Sequence, residues 1–350
     1  MAVNPVGHVN PARIVLLGAT GFVGSAVLRE LAARPVRIRA VARRPAAVPP
    51  GAVAVADIET RTADLTAPGE LAAAVADADV IVLATLYRAA AGWRVEEGDP
   101  AAERVNVGLV RDLVELLASS GAAPKVVFTG AVSQVGPTEK EVLDGSEPDL
   151  PVGAYDRQKL AAERLLLDAD ALGAVCRLSL RLPTVFGHVP GTSAADRGIV
   201  SGMARRALSD EPLTMWHDGT VGRDLLPVED VARAVVAAVD HAEALAGRHW
   251  LLGTGRSRPL GPVLTRVAEL VAQHTGKPPV PVTSVEPPAH AEAGDFRSVA
   301  VDASAFNAVT SWEPHTPFDE ALRRTVAHLA TEKAEEAEVG HDQRAREGAG

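Results

Sequence analysis

The segment "RIVLLGATGFVGSAVLREL", residues 13–31, decides the fold of this chain. It opens with an apolar run typical of a buried strand, continues through three glycines, and ends with the periodicity of an amphipathic helix. Glycines at such a junction allow a tight turn and a close backbone approach, and the helix N-terminus offers N–H groups to a pyrophosphate. The spacing of Gly18, Gly21 and Gly24 therefore predicts a dinucleotide-binding turn.

Strands and helices alternate along the rest of the first half. Apolar strand-like runs at 36–42, 79–85, 125–130 and 174–183 are separated by stretches with helical periodicity. Strands alternating with helices indicate βαβ units, a parallel sheet and helices on both faces. The predicted fold class is α/β, a Rossmann-type doubly wound parallel sheet with a smaller α+β C-terminal substrate-binding portion.

The domain boundaries follow from the loss of the regular strand–helix alternation after residue 183. We expect residues 12–183 to form the dinucleotide-binding domain, and 224–254 to return to it. Residues 184–223 and 255–330 form the predicted substrate-binding portion. The acidic segment 331–350 has almost no large apolar side chain, so we expect a disordered tail.

Composition narrows the class of partners. A net charge of −10 over 350 residues argues against general nucleic-acid binding, which needs a basic surface. No apolar run is long enough to span a bilayer, and the N-terminus lacks the apolar core of a signal peptide. The single cysteine excludes an internal disulfide, and the histidines show no metal-binding spacing. We therefore expect a cytoplasmic protein without a metal site.

Two arginines follow the second strand, where a dinucleotide-binding sheet reads the adenosine ribose. An acidic residue there accepts from the 2′-hydroxyl of NAD, whereas an arginine accommodates the 2′-phosphate of NADP. This chain has Arg43 and Arg44 there, and no acid before Asp57. We expect NADPH as the cofactor rather than NAD, with Asp64 and Leu65 beside the adenine.

The segment "AYDRQKLAAE", residues 154–163, places a tyrosine and a lysine on one face of a helix. A phenol has a pKa near 10, and a neighbouring ammonium favours its phenolate form. Tyr155 is therefore a candidate general acid or base beside a nicotinamide ring, and Lys159 is expected to lower its pKa and to bind the nicotinamide ribose.

Several motifs resemble those of the extended short-chain dehydrogenase/reductase family, which is NAD-dependent epimerase/dehydratase-like. The resemblance covers about residues 12–330 and is strongest within it to actinobacterial TDP-4-keto-6-deoxyhexose 4-ketoreductases. The matching segments are "GATGFVG", "ADL" at 63–65, "VNVG" at 105–108, "YDRQK", "RLPTVFG" at 181–187 and "RDLLPVEDVARA" at 223–234.

The resemblance implies roles for further residues. Asn106 would support the active-site helix and a water relay, and Arg223 would pair with the substrate diphosphate, assisted by Arg297. Thr184 stands where relatives usually carry an asparagine that contacts substrate, and His188 either lines the sugar pocket or is an ordinary loop histidine. The implied cofactor contacts are Gly18, Thr20, Gly21, Phe22, Val23, Gly24, Arg43, Arg44, Asp64, Leu65, Ala84, Tyr155, Lys159 and Pro183.

The sequence departs from the family at the third catalytic position. A Ser or Thr that binds the substrate oxygen should follow the fifth strand, but the register places Ala131 there. Side chains two residues apart in a strand share a face, so Ser133 or Thr129 can replace it, with Ser133 preferred. The segment "AVSQ" has no acidic residue, which argues against dehydration.

The reaction implied is NADPH-dependent reduction of the C-4 ketone of a TDP-4-keto-(2,)6-(di)deoxyhexose, in antibiotic deoxysugar biosynthesis, by a homodimer. One alternative is an NAD-dependent nucleotide-sugar 4-epimerase, against which Arg43 argues. Another is a non-catalytic dinucleotide-sensing relative. The retained Tyr155 and Lys159 argue against that alternative, and Ala131 keeps it open.

Overall fold

A computed structural model describes residues 12–87, 95–288, 291 and 293–347, with side chains as far as residue 335. The strands are β1 (Arg13–Leu17), β2 (Arg37–Ala42), β3 (Asp57–Thr62), β4 (Val80–Leu83), β5 (Lys125–Ala131), β6 (Val142–Leu143), β7 (Cys176–Leu182), β8 (Thr184–Phe186), β9 (Leu213–Met215), β10 (Gly222–Pro227), β11 (His249–Leu251), β12 (Ser257–Pro259), β13 (Val282–Ser284) and β14 (Ala300–Val301).

The helices are α1 (Phe22–Leu31), α2 (Glu70–Val75), α3 (Pro100–Glu103), α4 (Leu109–Ser120), α5 (Ala154–Ala171), α6 (Ile199–Leu208), α7 (Val228–Asp240), α8 (Ala242–Leu245), α9 (Leu260–Thr275), α10 (Ser304–Thr310) and α11 (Phe318–Glu347). A π-helical turn spans Arg104–Gly108. Short 3₁₀ helices span Ala52–Ala54, Val132–Val135 and Ala293–Phe296.

Seven parallel strands form the main sheet, in the order β11-β7-β5-β4-β1-β2-β3. Alternate residues of β1 enter different cores: Ile14 and Leu16 pack on one face, Val15 and Leu17 on the other. Strands buried on both faces need continuous apolar runs, which is why β1 reads "RIVLL". The predicted Rossmann-type doubly wound sheet is confirmed.

Later segments of the chain pack on the main sheet again, after β8, α6, β9 and β10. Strand β11 pairs with β7 at the sheet edge, and α7 packs against α1. Strand β10 instead joins β8 and β12 in a separate three-stranded sheet. The sequence predicts that segment 224–254 returns to the main sheet. Its first residues belong to β10 and the three-stranded sheet, and the part that packs on the main sheet begins at α7.

The smaller portion has its own apolar core. Helices α6, α9 and α11 pack together around Phe186 and Leu225, which extend from β8 and β10. Strands β9 and β13 form a two-stranded parallel sheet beside them. Since β8 and β10 contribute to this core and directly adjoin β7 and α7, the two portions meet along these connections.

The last helix enters the segment for which composition predicts a disordered tail. Helix α11 spans Phe318–Glu347, so its backbone runs through most of residues 331–350. Alanine, glutamate, lysine and arginine are strong helix formers, which suits such an extension. The disordered tail stays a prediction from composition.

Candidate active site

The glycine turn between β1 and α1 is so tight that side chains do not fit. Gly18 has a φ of +94°, and a Cβ there would lie 2.6 Å from the Ala84 carbonyl oxygen. A Cβ on Gly24 would lie 2.1 Å from the Gly18 carbonyl oxygen, and one on Gly21 would lie 3.1 Å from it. Backbone therefore occupies the places that side chains would need, and the turn is closed against β4.

The N-terminus of α1 is suited to an anion. Its N-cap is Gly21, so no side chain caps it, and its first turn carries no acidic residue. Thr20, Phe22 and Val23 are partly exposed around the turn, and the Gly18 amide donates to the Val41 carbonyl of β2. The geometry fits the pyrophosphate of a dinucleotide, which these backbone groups would hold.

Charged residues surround the carboxyl ends of β2 and β3. Arg43 and Arg44 are exposed directly after β2. Hydrogen bonds from Thr66 hold the pKa of Asp64 below its usual range, with smaller contributions from the charges of Arg43 and Arg104. The buried Leu65 follows Asp64.

The nearest acid in the sequence does not belong to this cofactor end. Asp57 begins β3 and faces Arg37, the first residue of β2. The two side chains form an ion pair of 3.5 Å at the amino end of both strands. Asp57 is therefore at the wrong edge of the sheet to accept from the ribose.

Helix α5 brings Lys159 against the end of β5. Its Nζ is buried and donates to the Thr129 carbonyl oxygen at 2.9 Å, and it lies 5.0 Å from the centre of the Phe128 ring. Burial lowers the pKa of Lys159 to about 8. The contact fixes the Tyr155–Lys159 face of α5 against the carboxyl edge of the sheet.

The prediction that Lys159 lowers the pKa of Tyr155 is wrong for this structure. Burial raises the pKa of the phenol, and the charge of Asp156 raises it further. Tyr155 keeps part of its surface exposed. The physical reason is that burial favours the neutral forms of both groups, and the ammonium is directed to the Thr129 carbonyl.

Asn106 links three parts of the site. It lies in the π-helical turn, where its Oδ1 accepts from the Tyr87 amide at 2.8 Å. Its Nδ2 donates to Gln158 Oε1 of α5, also at 2.8 Å. The buried amide thereby joins the loop after β4 to the helix that carries Tyr155.

The two candidate hydroxyls occupy different environments. Thr129 is buried in β5 and donates to the Leu83 carbonyl oxygen at 2.9 Å. Strand β5 ends at Ala131 and a 3₁₀ helix follows, so the assumed strand alternation does not extend to Ser133. Ser133 is exposed, and its Oγ donates to Asp156 Oδ1 at 2.5 Å. Of the two, only Ser133 is accessible.

Arg223 holds a loop. Its two terminal nitrogens donate to the backbone carbonyl oxygens of Gly222, Gly294, Asp295 and Arg297, at 2.6–3.1 Å. Burial lowers the pKa of its guanidinium. The sequence predicted a diphosphate partner, whereas the structure shows these nitrogens bound to carbonyls of the segment that carries Arg297.

The remaining predicted residues are placed as follows. Thr184 begins β8 opposite Leu225, and Pro183 connects β7 to β8. The ring of His188 stacks on His328 of α11 with centroids 4.6 Å apart. Burial, with the positive charges of His328, Arg324 and Arg29, lowers the pKa of His188 to about 4. His188 therefore packs against the C-terminal helix.

Sequence reasoning missed the polar residues behind the site, which are Gln158, Gln134, Glu163 and Arg181. Glu163 stands four residues after Lys159, and this helical spacing is a signal that could have found it.

In the part of the chain that the structure describes, no helix is long and apolar enough to cross a membrane. The same residues contain no group of three or more His, Cys, Asp or Glu placed for a metal.

The glycine turn and the sheet define a Rossmann-type dinucleotide-binding protein. Residues 14–253 match the NAD dependent epimerase/dehydratase family, and the chain belongs to it. It is 28% identical over 325 residues to dTDP-6-deoxy-L-talose 4-dehydrogenase (NAD(P)(+)) of Kitasatospora kifunensis, covering 90% of this chain and 95% of that protein. It is 27% identical to dTDP-L-rhamnose 4-epimerase of Burkholderia thailandensis, covering 94% and 96%.

Solved structures show the same architecture. MoeE5 in complex with UDP-glucuronic acid and NAD superposes with a TM-score of 0.74 at 26% identity, covering 92% of this chain and 100% of that one. UDP-glucose 4-epimerase of Thermus thermophilus in complex with NAD gives a TM-score of 0.72 at 25% identity, covering 91% and 98%.

Proposed function

We propose that this protein is an NADPH-dependent reductase of the C-4 ketone of a TDP-linked 6-deoxysugar. The observation that carries the proposal is the Lys159–Thr129 contact, which sets the Tyr155–Lys159 face of α5 at the end of β5. Similarity to a dTDP-6-deoxy-L-talose 4-dehydrogenase over 95% of its length supports the substrate class. Oxidation of a C-4 hydroxyl and reduction of a C-4 ketone are the two directions of one reaction.

Different residues of the chain would bind the cofactor, donate the proton and bind the substrate. The glycine turn at the N-terminus of α1 would hold NADPH, which would supply the hydride for C-4. Tyr155 would donate its phenolic proton to the C-4 oxygen as negative charge develops there. Ser133, accessible beside Asp156, would turn its hydroxyl to the same oxygen. The nucleotide diphosphate would bind near Arg297, on the loop that Arg223 holds.

Cofactor exchange separates this reductase from a 4-epimerase. A reductase releases oxidised cofactor in each turnover, whereas an epimerase regenerates its own and retains it. Arg43 and Arg44 are exposed at the end of β2, and an arginine fork suits phosphate oxygens. We therefore expect NADPH to be preferred over NADH by about tenfold or more, which corresponds to about 1.4 kcal/mol.

The test is turnover with TDP-4-keto-6-deoxyhexoses that differ at C-2 and C-3. NADPH consumption stoichiometric with ketosugar supports the reductase, and Arg43→Asp should erase or invert the preference for NADPH over NADH. Arg164→Asp, at an exposed position of α5 outside the phosphate site, serves as the matched control for surface charge. Tightly bound NAD co-purifying with the protein, or C-4 inversion of a TDP-sugar without added cofactor, would make it an epimerase. Light scattering checks the homodimer that we also propose.

A further inference from the structure

A buried polar chain links α5 to the end of β5, and we infer that it is a positioning unit for the Tyr155 proton donor. We call it the Arg181–Glu163–Gln134 relay. Its three members are buried, Gln134 and Arg181 almost completely. Arg181 of β7 donates to both carboxylate oxygens of Glu163, at 2.6 and 3.2 Å. The inference rests on the proposed function, in which Tyr155 acts at the carboxyl end of β5.

The relay ends on the backbone of the residue that lacks the family hydroxyl. Gln134 Nε2 donates to Glu163 Oε2 at 3.3 Å, and Gln134 Oε1 accepts from the Ala131 amide at 2.7 Å. Arg181 is further fixed by two hydrogen bonds to Asp149, at 2.6 and 3.1 Å. The position of Ala131 is therefore set by a carboxylate on the same helix as Tyr155.

Two features of the surrounding structure accommodate the relay: a glycine beside it and the position of Glu163 on α5. A Cβ on Gly130 would lie 2.7 Å from Gln134 Oε1 and 3.3 Å from Glu163 Oε2, so only glycine leaves room for it. Glu163 also continues the helical face of Tyr155 and Lys159, at intervals of four residues. Two contacts thus hold β5 to this face: Lys159 to the Thr129 carbonyl, and Glu163 through Gln134 to the Ala131 amide.

The direction of each hydrogen bond gives a sharp test. In Glu163→Gln one of the two oxygens that accept from Arg181 becomes an NH₂; if the remaining oxygen stays on Arg181 Nη2, the new NH₂ faces both Arg181 Nε and the NH₂ of Gln134, which can only donate. If Gln134 turns over, its NH₂ instead faces the Ala131 amide. Either way one buried donor lacks an acceptor. In the double variant Glu163→Gln/Gln134→Glu, the new carboxylate accepts from the amide at position 163 and from the Ala131 amide, and the net charge is unchanged. The link to Ala131 is thereby restored, whereas Arg181 Nε still lacks its acceptor.

The experiment measures kcat and KM for a TDP-4-ketosugar, the Kd for NADPH and the thermal midpoint. We expect Glu163→Gln to lower kcat by about tenfold or more, since small misplacements of reacting groups have large effects on rate. KM and Kd should stay within about threefold, and the double variant should recover part of the lost kcat, because it restores the link to Ala131. Gln134→Met, which removes both hydrogen bonds but leaves the ion pair, should reproduce the loss if Glu163→Gln does not fold.

The matched control is Asp230→Asn, which alters another fully buried carboxylate. Asp230 lies on α7, where it accepts from Arg233 and from the His315 amide. The thermal midpoint of this variant should fall by about as much as that of Glu163→Gln, but its kcat should equal that of wild type. The inference is overturned if Glu163→Gln keeps its kcat, if kcat falls equally in the control, or if the double variant is no better than Glu163→Gln.

Hydrogen exchange separates this inference from the proposed function. Exchange at the amides of 129–133 should accelerate in Glu163→Gln and recover in the double variant, and this measurement needs no turnover. If wild type reduces no ketosugar but exchange follows this pattern, the proposed function fails and the relay still positions β5. Unchanged exchange in Glu163→Gln would show that the relay does not hold Ala131.

Discussion

The proposed cofactor end and the proposed substrate end of this site, called the cofactor end and the substrate end below, are built in different ways. At the cofactor end, Gly18 and Gly24 approach backbone atoms within one short segment and on the neighbouring strand. At the substrate end, Arg223 binds carbonyls of residues 294–297, more than seventy positions along the chain. The first arrangement is encoded mainly within the glycine turn, with one contact to the neighbouring strand, and leaves no room for added atoms. The second exists only after distant segments have packed together.

Removal of the Tyr155 hydroxyl should give the largest effect on turnover, because this group is the proposed proton donor and lies between the cofactor end and the substrate end. We expect Tyr155→Phe to lower kcat by about 10²–10⁴-fold, the usual contribution of general acid catalysis. NADPH binding, measured by fluorescence titration, should change by less than about threefold, since the glycine turn is untouched. A variant that retains more than about a tenth of wild-type kcat would end the proton-donor assignment.

An added methyl group should break the cofactor end. In Gly24→Ala the new Cβ would meet the Gly18 carbonyl oxygen at 2.1 Å, so the turn must shift. Overpacking of this kind typically costs about 1–3 kcal/mol of unfolding free energy, and NADPH affinity should fall with it. The control is Gly202→Ala in α6, where a Cβ meets nothing within 4 Å. Equal stability of the two variants would contradict the close approach.

Truncation of Arg223 should loosen the substrate end alone. Without its guanidinium the 294–297 loop loses three carbonyl contacts, and we expect KM for the TDP-sugar to rise about tenfold or more. Arg223→Lys should not rescue KM, because one ammonium cannot reproduce the planar fork. NADPH affinity serves as the internal control. A KM equal to that of wild type would remove the proposed role of this loop.

The accessible hydroxyl should contribute less. A neutral hydrogen bond is worth about 0.5–1.5 kcal/mol, so Ser133→Ala should lower kcat by about two- to tenfold. Thr129→Val should instead lower the thermal midpoint, because its hydroxyl donates to the buried Leu83 carbonyl. If only Thr129→Val loses kcat, the assignment of the two hydroxyls is reversed. If both keep kcat, Tyr155 works without a third residue.

The smallest expected effect is on stability below neutral pH. His188 has a folded-state pKa of about 4, below its ordinary value of 6.5, so the unfolded chain binds the proton more readily. Its contribution is complete above pH 6.5 and is lost as pH falls toward 4. Thermal midpoints should therefore fall more between pH 7 and pH 5 in wild type than in His188→Phe. Parallel pH profiles would show that His188 does not titrate in this range.

Sequence patterns sufficed where the fold depends on neighbours in the chain. The apolar run of β1, the glycine spacing and the helical spacing of Tyr155 and Lys159 all follow from local periodicity, and the sheet they predicted is present. Strand β3 carries charged, exposed residues at the sheet edge and lacks an apolar pattern, so its bounds did not stand out. The same local reasoning failed at Ser133, where a 3₁₀ turn replaces the strand.

Only the tertiary structure decided which polar groups meet. The sequence determined a Rossmann-type sheet, a dinucleotide turn and a tyrosine–lysine pair, because each is written in residues that are close in the chain. It did not determine that burial raises the pKa of Tyr155, or that Arg223 binds backbone carbonyls. Nor did it show that Glu163 reaches Ala131 through Gln134. Burial and hydrogen-bond partners depend on segments far apart in sequence, and local patterns contain no record of that packing.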